Sequence, residues 1–366
     1  MKKIIPIAIY LPQFHPIPEN DKWWGKGFTE WTNVTKATPR FKGHYQPHLP
    51  ADTGFYDLRL EETRLGQEAL AKQFGIQGFC YYHYWFNGKR MLHEPLDRKL
   101  KNAKEDLPFM LCWANENWTR AWDGMDKEVL LEQNYSNQDD VEHMKMLCKT
   151  YFNDSRYIKH NNKPVFLIYR PKLFPDINKT VKTWREVAIN EGIGEIHIGY
   201  MQSWGIVDNP SEMGFDFAVE FQPKFGNMKV EPLQTISIFD RILKKLKKVL
   251  KIDKEIISYD TIIQYKDFVN RQKEFDFKKE VLPSITPMWD NSPRRKKNAI
   301  IFDNSTPDEY ENWLNHIVQK YPWSQSSENY LFINAWNEWA EGNHLEPCQK
   351  WGTQYLERTK KVLSKS

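Results

Sequence analysis

Short apolar runs that resemble β-strands alternate with stretches of helical periodicity along the whole chain. Each run is followed by polar or aromatic residues. Strand–helix alternation over eight units is typical of a parallel (β/α)8 barrel, and 366 residues suffice for one with long loops. The pattern therefore predicts an α/β chain forming a single (β/α)8 TIM barrel over residues 1–366. The eight runs are Ile4–Tyr10, Gln77–Trp85, Pro108–Trp113, Pro164–Tyr169, Ile196–Gln202, Phe215–Phe221, Val281–Trp289 and Tyr330–Trp336.

The stretches between the runs carry helix signals. Thr306 precedes Pro307 and two acidic residues, which is a typical helix start. A doubly wound sheet is the alternative fold, but the first run is followed by Tyr10-Leu11-Pro12-Gln13-Phe14-His15 and not by a glycine-rich phosphate loop. The helical stretches are Glu61–Phe74, Gln138–Phe152, Lys179–Asn190, Thr261–Glu274 and Pro307–Tyr321.

Two long connections follow predicted strands 1 and 6. Residues 11–61 are rich in Trp, Pro, His and Gly, and loops at this end of barrel strands build active sites. Residues 222–260 form an inserted segment with a basic amphipathic helix at 238–251. A helix packed on the barrel with solvated lysines is the simpler interpretation, and peripheral contact with the inner face of a membrane is the other.

Composition excludes several classes of function. A net charge of +4 is too mild for nucleic-acid binding. The four cysteines show no CxxC spacing and the ten histidines no HExxH motif, so we expect neither a metal nor a cofactor. The N-terminal apolar stretch breaks at Pro12 and is too short for an export signal, which predicts a cytoplasmic protein with reduced thiols.

A pair of carboxylates, Glu338 and Glu341, follows the last predicted strand and is bracketed by Trp336 and Trp339. Glycosidic-bond chemistry needs one group that handles a proton, another that supports the anomeric centre, and flat apolar faces for the sugar ring. The two glutamates can share a site only if the strand ends near Trp336 and the chain turns, which Gly342 permits. The segment therefore predicts a catalytic pair.

Amides, carboxylates and aromatic rings also follow other predicted strands, where they would meet at the C-terminal mouth of the barrel. Isolated tryptophans are more often core residues, and Asn is common in ordinary turns. We nevertheless expect these side chains to bind a sugar. The predicted substrate-binding residues are Tyr10, Gln13, Glu30, Trp31, Tyr82, His83, Trp85, Asn115, Glu116, Asn117, Trp118, Glu220, Trp289, Trp336, Asn337, His344 and Glu346.

Four segments make the chain resemble the WbsX-like family, which is related to glycoside hydrolase family 99. They are IAIYLPQFHPIPENDKWWGKGFTEWTNV, GFCYYHYWFNGKRML, WANENWTRAWDG and WNEWAEGNHLEP, in this order along nearly the whole chain. The resemblance implies a (β/α)8 barrel and a retaining mechanism through the 2-hydroxyl of the substrate. It also implies that Glu338 is the base that deprotonates this hydroxyl and Glu341 the acid that protonates the leaving oxygen.

WbsX-like proteins are described as glycosyltransferases of bacterial O-antigen or capsule synthesis, whereas family 99 enzymes are endo-acting α-mannosidases and mannanases. Polysaccharide cleavage and glycosyl transfer both remain open, as does a non-catalytic glycan-binding barrel. The expected partner is an oligosaccharide or polysaccharide, with a nucleotide sugar or a lipid-linked glycan as further candidates.

Overall fold

The computed structural model describes residues 3–120, 125–203, 205–225, 260–324 and 329–365. The strands are β1 (Ile4–Tyr10), β2 (Gly78–Phe86), β3 (Lys89–Met91), β4 (Phe109–Trp113), β5 (Trp118–Arg120), β6 (Met125–Leu131), β7 (Lys159–His160), β8 (Lys163–Ile168), β9 (His197–Met201), β10 (Phe217–Val219), β11 (Thr261–Gln264), β12 (Val281–Leu282), β13 (Ser284–Ile285), β14 (Ile300–Asp303), β15 (Asn329–Ile333), β16 (Asn337–Glu338) and β17 (Asn343–His344). The α-helices are α1 (Pro18–Trp24), α2 (Glu30–Lys36), α3 (Glu61–Gln73), α4 (Glu94–Leu100), α5 (Asn137–Leu147), α6 (Ile177–Asn190), α7 (Tyr265–Gln272), α8 (Pro307–Lys320) and α9 (Gln354–Leu363).

Parallel strands form a barrel, which confirms the predicted fold class. Their order around the sheet is β12, β10, β9, β8, β4, β2, β1, β15 and β13. Apart from the short β12 and β13, each strand pairs with its neighbours in chain order, and the last one, β15, returns to pair with β1. This is the connectivity that right-handed strand–helix units produce.

The seventh strand position is divided at Pro283. Before the proline, β12 pairs with β10, and the amide of Glu220 donates to the carbonyl of Leu282 at 2.9 Å. After the proline, β13 pairs with β15, and the amide of Phe332 donates to the Pro283 carbonyl at 3.0 Å. Residues 281–285 therefore contact both neighbouring strands and close the barrel, although proline itself contributes no backbone donor.

Most predicted elements are found with shorter bounds, and one interpretation was wrong. The predicted helix Thr261–Glu274 begins as strand β11, which pairs in parallel with β14, and only Tyr265–Gln272 is helical. The β-branched Thr261, Ile262 and Ile263 suit an extended chain. The cap at Thr306 is present, since its side chain accepts from the amide of Glu309.

The loop after strand 1 is not wholly irregular, because it contains α1 and α2. Almost all of the predicted 222–260 insertion, with the basic helix at 238–251, lies outside the described residues. Its assignment and the single-domain organisation of the chain stay predictions. Within the described ranges, no helix is both long enough and apolar enough to cross a bilayer.

Side chains of β2 alternate between the two surfaces of the barrel. His83 Nε2 lies 2.9 Å from His143 Nε2 on α5, and Trp85 Nε1 donates to Asp139 on the same helix at 3.0 Å. Tyr82 and Tyr84 point the other way: the ring of Tyr82 contacts Tyr169 and that of Tyr84 contacts Trp118. Because neighbouring residues of a strand face opposite sides, only the even-numbered set can reach the barrel mouth.

Gly199 on β9 pairs with Phe217 on β10, and a Cβ at this glycine would lie 2.5 Å from the phenyl ring. We expect Gly199→Ala to lower the free energy of unfolding by about 1–3 kcal/mol, because a packed ring cannot yield without strain. Urea denaturation measures this change.

Gly66→Ala is the matched control, because a Cβ on this residue of α3 meets no atom within 4 Å. Here we expect an increase of about 0.5–1 kcal/mol, since alanine has less freedom to lose in a helix. A destabilisation by Gly66→Ala as large as that by Gly199→Ala would contradict the packing argument.

Candidate active site at the mouth of the barrel

The chain turns sharply after the eighth barrel strand, and this turn brings Glu338 and Glu341 to the same side. Strand β15 ends at Ile333, and the short β16 then pairs antiparallel with β17. Between them, Trp339–Glu341 form one turn of 3-10 helix, which ends at Gly342 with a φ of 54°. That positive φ and the close approach of Asp290, whose Cβ would be 2.9 Å from an added Cβ, both call for glycine.

Three carboxylates surround the guanidinium of Arg294. Its Nη2 lies 2.9 Å from Glu338 Oε2, and its Nη1 lies 3.0 Å from Glu341 Oε1. Its Nε donates to Glu30 Oε1 at 2.9 Å, and its Nη2 contacts the same oxygen. Glu30 is wholly buried in the first turn of α2. The cluster therefore combines residues from three places: the first loop (residues 11–61, after β1), the seventh loop (after β13), and the turn that follows the eighth barrel strand.

This crowding changes the proton affinities of the glutamates. Burial, together with the charges of Glu341 and Glu30, raises the pKa of Glu338 to about 8, although Arg294 acts in the opposite direction. Burial and Glu30 likewise raise the pKa of Glu341 against the effect of Arg294. Because several carboxylates share one guanidinium, the site holds a proton at neutral pH, as acid–base chemistry requires.

Tyrosine, tryptophan and glutamate side chains complete the surroundings of the cluster. The charge of Glu338 reaches Tyr82 and Tyr84, whose pKa values are raised well above the ordinary value, chiefly by burial. Trp118 packs its edge on Tyr84, with the ring centroids 5.3 Å apart. Glu116 forms an ion pair with Arg170, and its pKa is raised by burial and, to a smaller extent, by the charge of Glu341. Glu30, Tyr82 and Glu116 are therefore the predicted binding residues that the structure brings near Glu338 and Glu341, and the predicted Trp118 is connected to them through Tyr84.

Several other predicted binding residues support the turn from behind. Glu346 is buried and accepts from Trp336 Nε1 at 2.9 Å and from Trp339 Nε1 at 2.7 Å. Asn337 accepts from the amide of Leu11 at 2.7 Å and donates to its carbonyl at 3.0 Å. These contacts make Trp336, Asn337 and Glu346 supports of the turn.

His344 and Trp31 pack against Trp339, the tryptophan between the two catalytic candidates. The ring of His344 stacks on it with centroids 3.8 Å apart, and Trp31 contacts it at 5.5 Å. The Trp31 indole donates to the carbonyl of Tyr56 at 2.9 Å. Both predicted ligands are thus largely occupied by contacts within the protein.

The expected position of Tyr10, His83 and Trp85 at the mouth needs correction. The hydroxyl of Tyr10 donates to Gln67 on α3 at 2.7 Å, so this ring lies between the barrel and its helices. His83 and Trp85 face α5. Residues at odd and even positions of one strand cannot share a surface, so the side-chain period of two was sufficient to show that His83 and Trp85 do not share a surface with Tyr82.

Asn115 also serves the fold, because its amide donates to the hydroxyl of Tyr135 at 3.0 Å and to the carbonyl of Arg170 at 2.9 Å. The exposed Asn117 accepts from the amide of Gln133. Glu220 contacts Lys224 at 3.3 Å. None of these contacts joins the carboxylate cluster.

Gln13 and Trp289 are buried near the first and seventh loops. The carbonyl of Gln13 accepts from the amide of Glu30 at 3.1 Å, which connects the segment after β1 to α2, the helix that carries the third carboxylate. Trp289 lines a cavity of about 50 Å³ beside Asp290, together with His44 and Gly342. Their assignment as sugar ligands stays a prediction.

Sequence reasoning missed Arg294 and Tyr84. Arg294 belongs to the basic run Arg294-Arg295-Lys296-Lys297, which resembles a solvated loop. No local signal distinguishes it, whereas Tyr84 shares the parity of Tyr82 and could have been found. Among the described residues, no group of three or more His, Cys, Asp or Glu side chains has a metal-binding arrangement.

The fold of the chain is similar to that of several solved glycoside hydrolases. The GH99 endo-α-mannosidase of Bacteroides thetaiotaomicron, in two structures, has a TM-score of 0.56 at 11% and 14% identity, over 98% of this chain and 96% of that chain. A glycoside hydrolase-like protein has a TM-score of 0.58 at 14% identity, over 99% and 94% of the two chains. The family described as "Glycosyltransferase WbsX" matches residues 6–359, so the chain belongs to this family.

Relatives exist in two strains of Xanthomonas campestris pv. campestris. Each is an uncharacterized protein, WxcX, that is 40% identical over 362 residues. The match covers 98% of this chain but 50% of WxcX. The chain therefore spans about half the length of the curated relatives it matches.

The raised pKa of Glu338 predicts a pH-dependent stability. The folded chain holds this proton up to about pH 8, whereas the unfolded chain releases it near the ordinary value of 4.5. Between these values the folded state binds more protons, so the free energy of unfolding falls as pH rises, by up to about 1.4 kcal/mol per pH unit. We expect Glu338→Gln to show a shallower fall in urea unfolding between about pH 5 and 8.

Glu186→Gln is the control, because Glu186 is an exposed residue of α6. It should keep the slope of the unchanged protein. Equal slopes for Glu338→Gln and the unchanged protein would mean that Glu338 titrates normally in the folded chain.

Proposed function

We propose that the chain is an enzyme of bacterial cell-surface polysaccharide metabolism, which cleaves or transfers glycosyl units with Glu338 and Glu341 as its catalytic pair. The observation that carries this proposal is the meeting of both carboxylates on one guanidinium at the C-terminal mouth of the barrel. Membership of the family supports a carbohydrate substrate, and the similar barrel of the endo-α-mannosidase supports glycosidic-bond chemistry.

The resemblance to family 99 supplies the order of bond changes. Glu338 takes the proton of the 2-hydroxyl while O2 bonds to the anomeric carbon. The bond from this carbon to the leaving oxygen breaks, and Glu341 gives that oxygen its proton. Water or an acceptor hydroxyl then attacks the anomeric carbon and gives its proton to Glu341. The bond between this carbon and O2 breaks in the same step, and Glu338 returns its proton to O2. The product keeps its anomeric configuration, and each glutamate recovers its starting state.

The surroundings of the two glutamates support this division of roles. The side chain of Glu341 is 23% exposed and that of Glu338 7%, so Glu341 is the one more open to a departing sugar. Burial and Glu30 raise the pKa of Glu341, the direction that favours a proton donor, although the pKa of Glu338 is raised as well. The charge of Glu338 affects Tyr82 and Tyr84, and Trp118 packs on Tyr84, so aromatic side chains for a sugar ring are close to the site.

The primary test is mass spectrometry of products from capsular or O-antigen oligosaccharides of the host, with and without nucleotide sugars. We expect shortened chains, or chains rearranged by transfer. Glu338→Gln and Glu341→Gln should each lose on the order of 10²-fold or more in rate, the usual effect of removing acid–base help. Glu186→Gln should keep full activity. Full activity of both site variants would refute the assignment.

The other two hypotheses give different results in the same experiment. Chains lengthened only with a nucleotide sugar would indicate a nucleotide-sugar-dependent glycosyltransferase, a function that the family description favours. Oligosaccharide binding in calorimetry, without any product, would indicate a glycan-binding barrel.

A second prediction concerns the pH profile of the reaction. As a base, Glu338 must first lose the proton that its raised pKa retains. We therefore expect kcat/KM to rise with pH and to reach half its maximum near pH 8, the pKa of Glu338 in the free enzyme. A rising limb centred near 4.5, the ordinary value for a glutamate, would contradict this role.

A further inference from the structure

We propose that Arg294 is a positioning residue that holds the two catalytic carboxylates in register, and that Arg40 secures the loop that carries it. The proposal rests on the function proposed above, because it concerns the same pair of glutamates. Three observations support it: the way the guanidinium divides its contacts, the anchor that Glu30 provides, and the hold of the first loop on residues 290–299.

The guanidinium contacts one oxygen of each catalytic carboxylate. Nη2 meets Oε2 of Glu338 at 2.9 Å and Nη1 meets Oε1 of Glu341 at 3.0 Å. Each of these two contacts engages a single oxygen of its carboxylate. Each glutamate is therefore oriented through one oxygen and leaves the other for a substrate hydroxyl or glycosidic oxygen. A planar guanidinium can span two such groups at a fixed separation, which an ammonium cannot do.

Glu30 keeps the guanidinium from turning. Both Nε and Nη2 of Arg294 contact Glu30 Oε1, so this third carboxylate grips a different edge from the one that meets Glu341. Glu30 itself is wholly buried, and its backbone amide is tied to the carbonyl of Gln13 at 3.1 Å. The orientation of Arg294 is thus fixed from the first loop.

Arg40 holds the loop that carries Arg294. Its Nη2 donates to the carbonyl of Ser292 at 2.9 Å and also contacts that of Arg295, and its Nη1 reaches the carbonyl of Lys296 at 3.3 Å. These three carbonyls flank Arg294 in sequence. One side chain from the first loop therefore organises the backbone on both sides of the positioning arginine.

The two ends of the same loop are also fixed. At its start, His44 Nε2 lies 2.6 Å from Asp290 Oδ2, and the amide of Asp290 donates to the carbonyl of Glu341 at 2.6 Å. At its end, Asp260 accepts from the amide of Ala299 at 2.9 Å and pairs with Arg40 at the same distance. The loop is therefore built to present Arg294 at a defined place.

The test measures the titration of the Glu338 and Glu341 carboxyls as well as the reaction rate. Both are needed because other charged groups also face these two glutamates. The carboxyl signals of protein labelled with 13C at glutamate are followed with pH and assigned with Glu338→Gln and Glu341→Gln. The charged and titratable groups that face the catalytic pair are Glu30, Tyr82, Tyr84, Glu116, Arg294 and Arg295.

In Arg294→Ala we expect the pKa of Glu338 to rise further, because the main group that lowers it is removed. We expect kcat to fall on the order of 10²-fold, the usual cost of misplaced reacting groups. Added guanidinium ion should restore part of both changes by occupying the vacated place. Arg294→Lys should keep the charge but recover little rate. Arg98→Ala, which removes an exposed arginine of α4, is the matched control and should change neither quantity.

Arg40→Ala tests the hold on the loop. It should lower kcat less than Arg294→Ala does, and guanidinium ion should not restore it, because Arg294 is still present. Circular dichroism and thermal unfolding verify that each variant is folded. An unchanged titration of Glu338 in Arg294→Ala, or a loss of rate that guanidinium does not relieve, would overturn the positioning role. An unchanged kcat in Arg40→Ala would overturn the role of the loop.

Failure of the proposed function gives a different result. If the unchanged protein acts on no glycan, yet Arg294→Ala shifts the titration of Glu338 and guanidinium reverses the shift, the catalytic proposal fails while Arg294 still organises the carboxylates. If activity is present and depends on Glu341 but not on Arg294, the catalytic proposal holds and the positioning role fails.

Discussion

The carboxylate of Glu346 connects the three segments that shape the mouth of the barrel. It accepts from Tyr56 in the first loop, from Gln67 on α3, and from Trp336 and Trp339 on either side of Glu338. Burying a carboxylate without such donors would cost several kcal/mol. Moving any one of the four donors away would therefore destabilise the whole arrangement. The turn that carries the catalytic candidates is thereby fixed to the first loop and to the helix layer.

Glu346, which supports the turn, differs from Glu338 and Glu341 in how its carboxylate is bonded. Both oxygens of Glu346 are engaged by protein donors, and burial still raises its pKa to about 7. In the described part of the chain, Arg294 contacts one oxygen of Glu338 and one of Glu341, which fits a site where the other oxygen of each meets a substrate. Saturation makes a carboxylate structural, and incomplete saturation makes it reactive.

The sequence predicted the barrel better than it predicted the contacts around Glu338 and Glu341. Strand periodicity is a local property, so Ile4–Tyr10 and the helix that begins at Pro307 could be found from their own residues. Contact between Glu30 and Arg294 joins residues 264 positions apart and leaves no local pattern. The residues nearest Glu338 in sequence, such as Asn337 and Glu346, hold the turn, because a turn needs its own donors and acceptors before it can present a site.

The divided seventh strand has a consequence for exchanging loops within the family. Residues 281–282 and 284–285 pair with opposite neighbours around Pro283, and the chain then continues directly into the loop of Arg294. A single-residue insertion or deletion at this joint would reverse which side chains face the barrel interior, and with them the direction in which the loop departs. A loop transplanted from a relative will therefore work only if the joint that precedes it is transplanted in the same register.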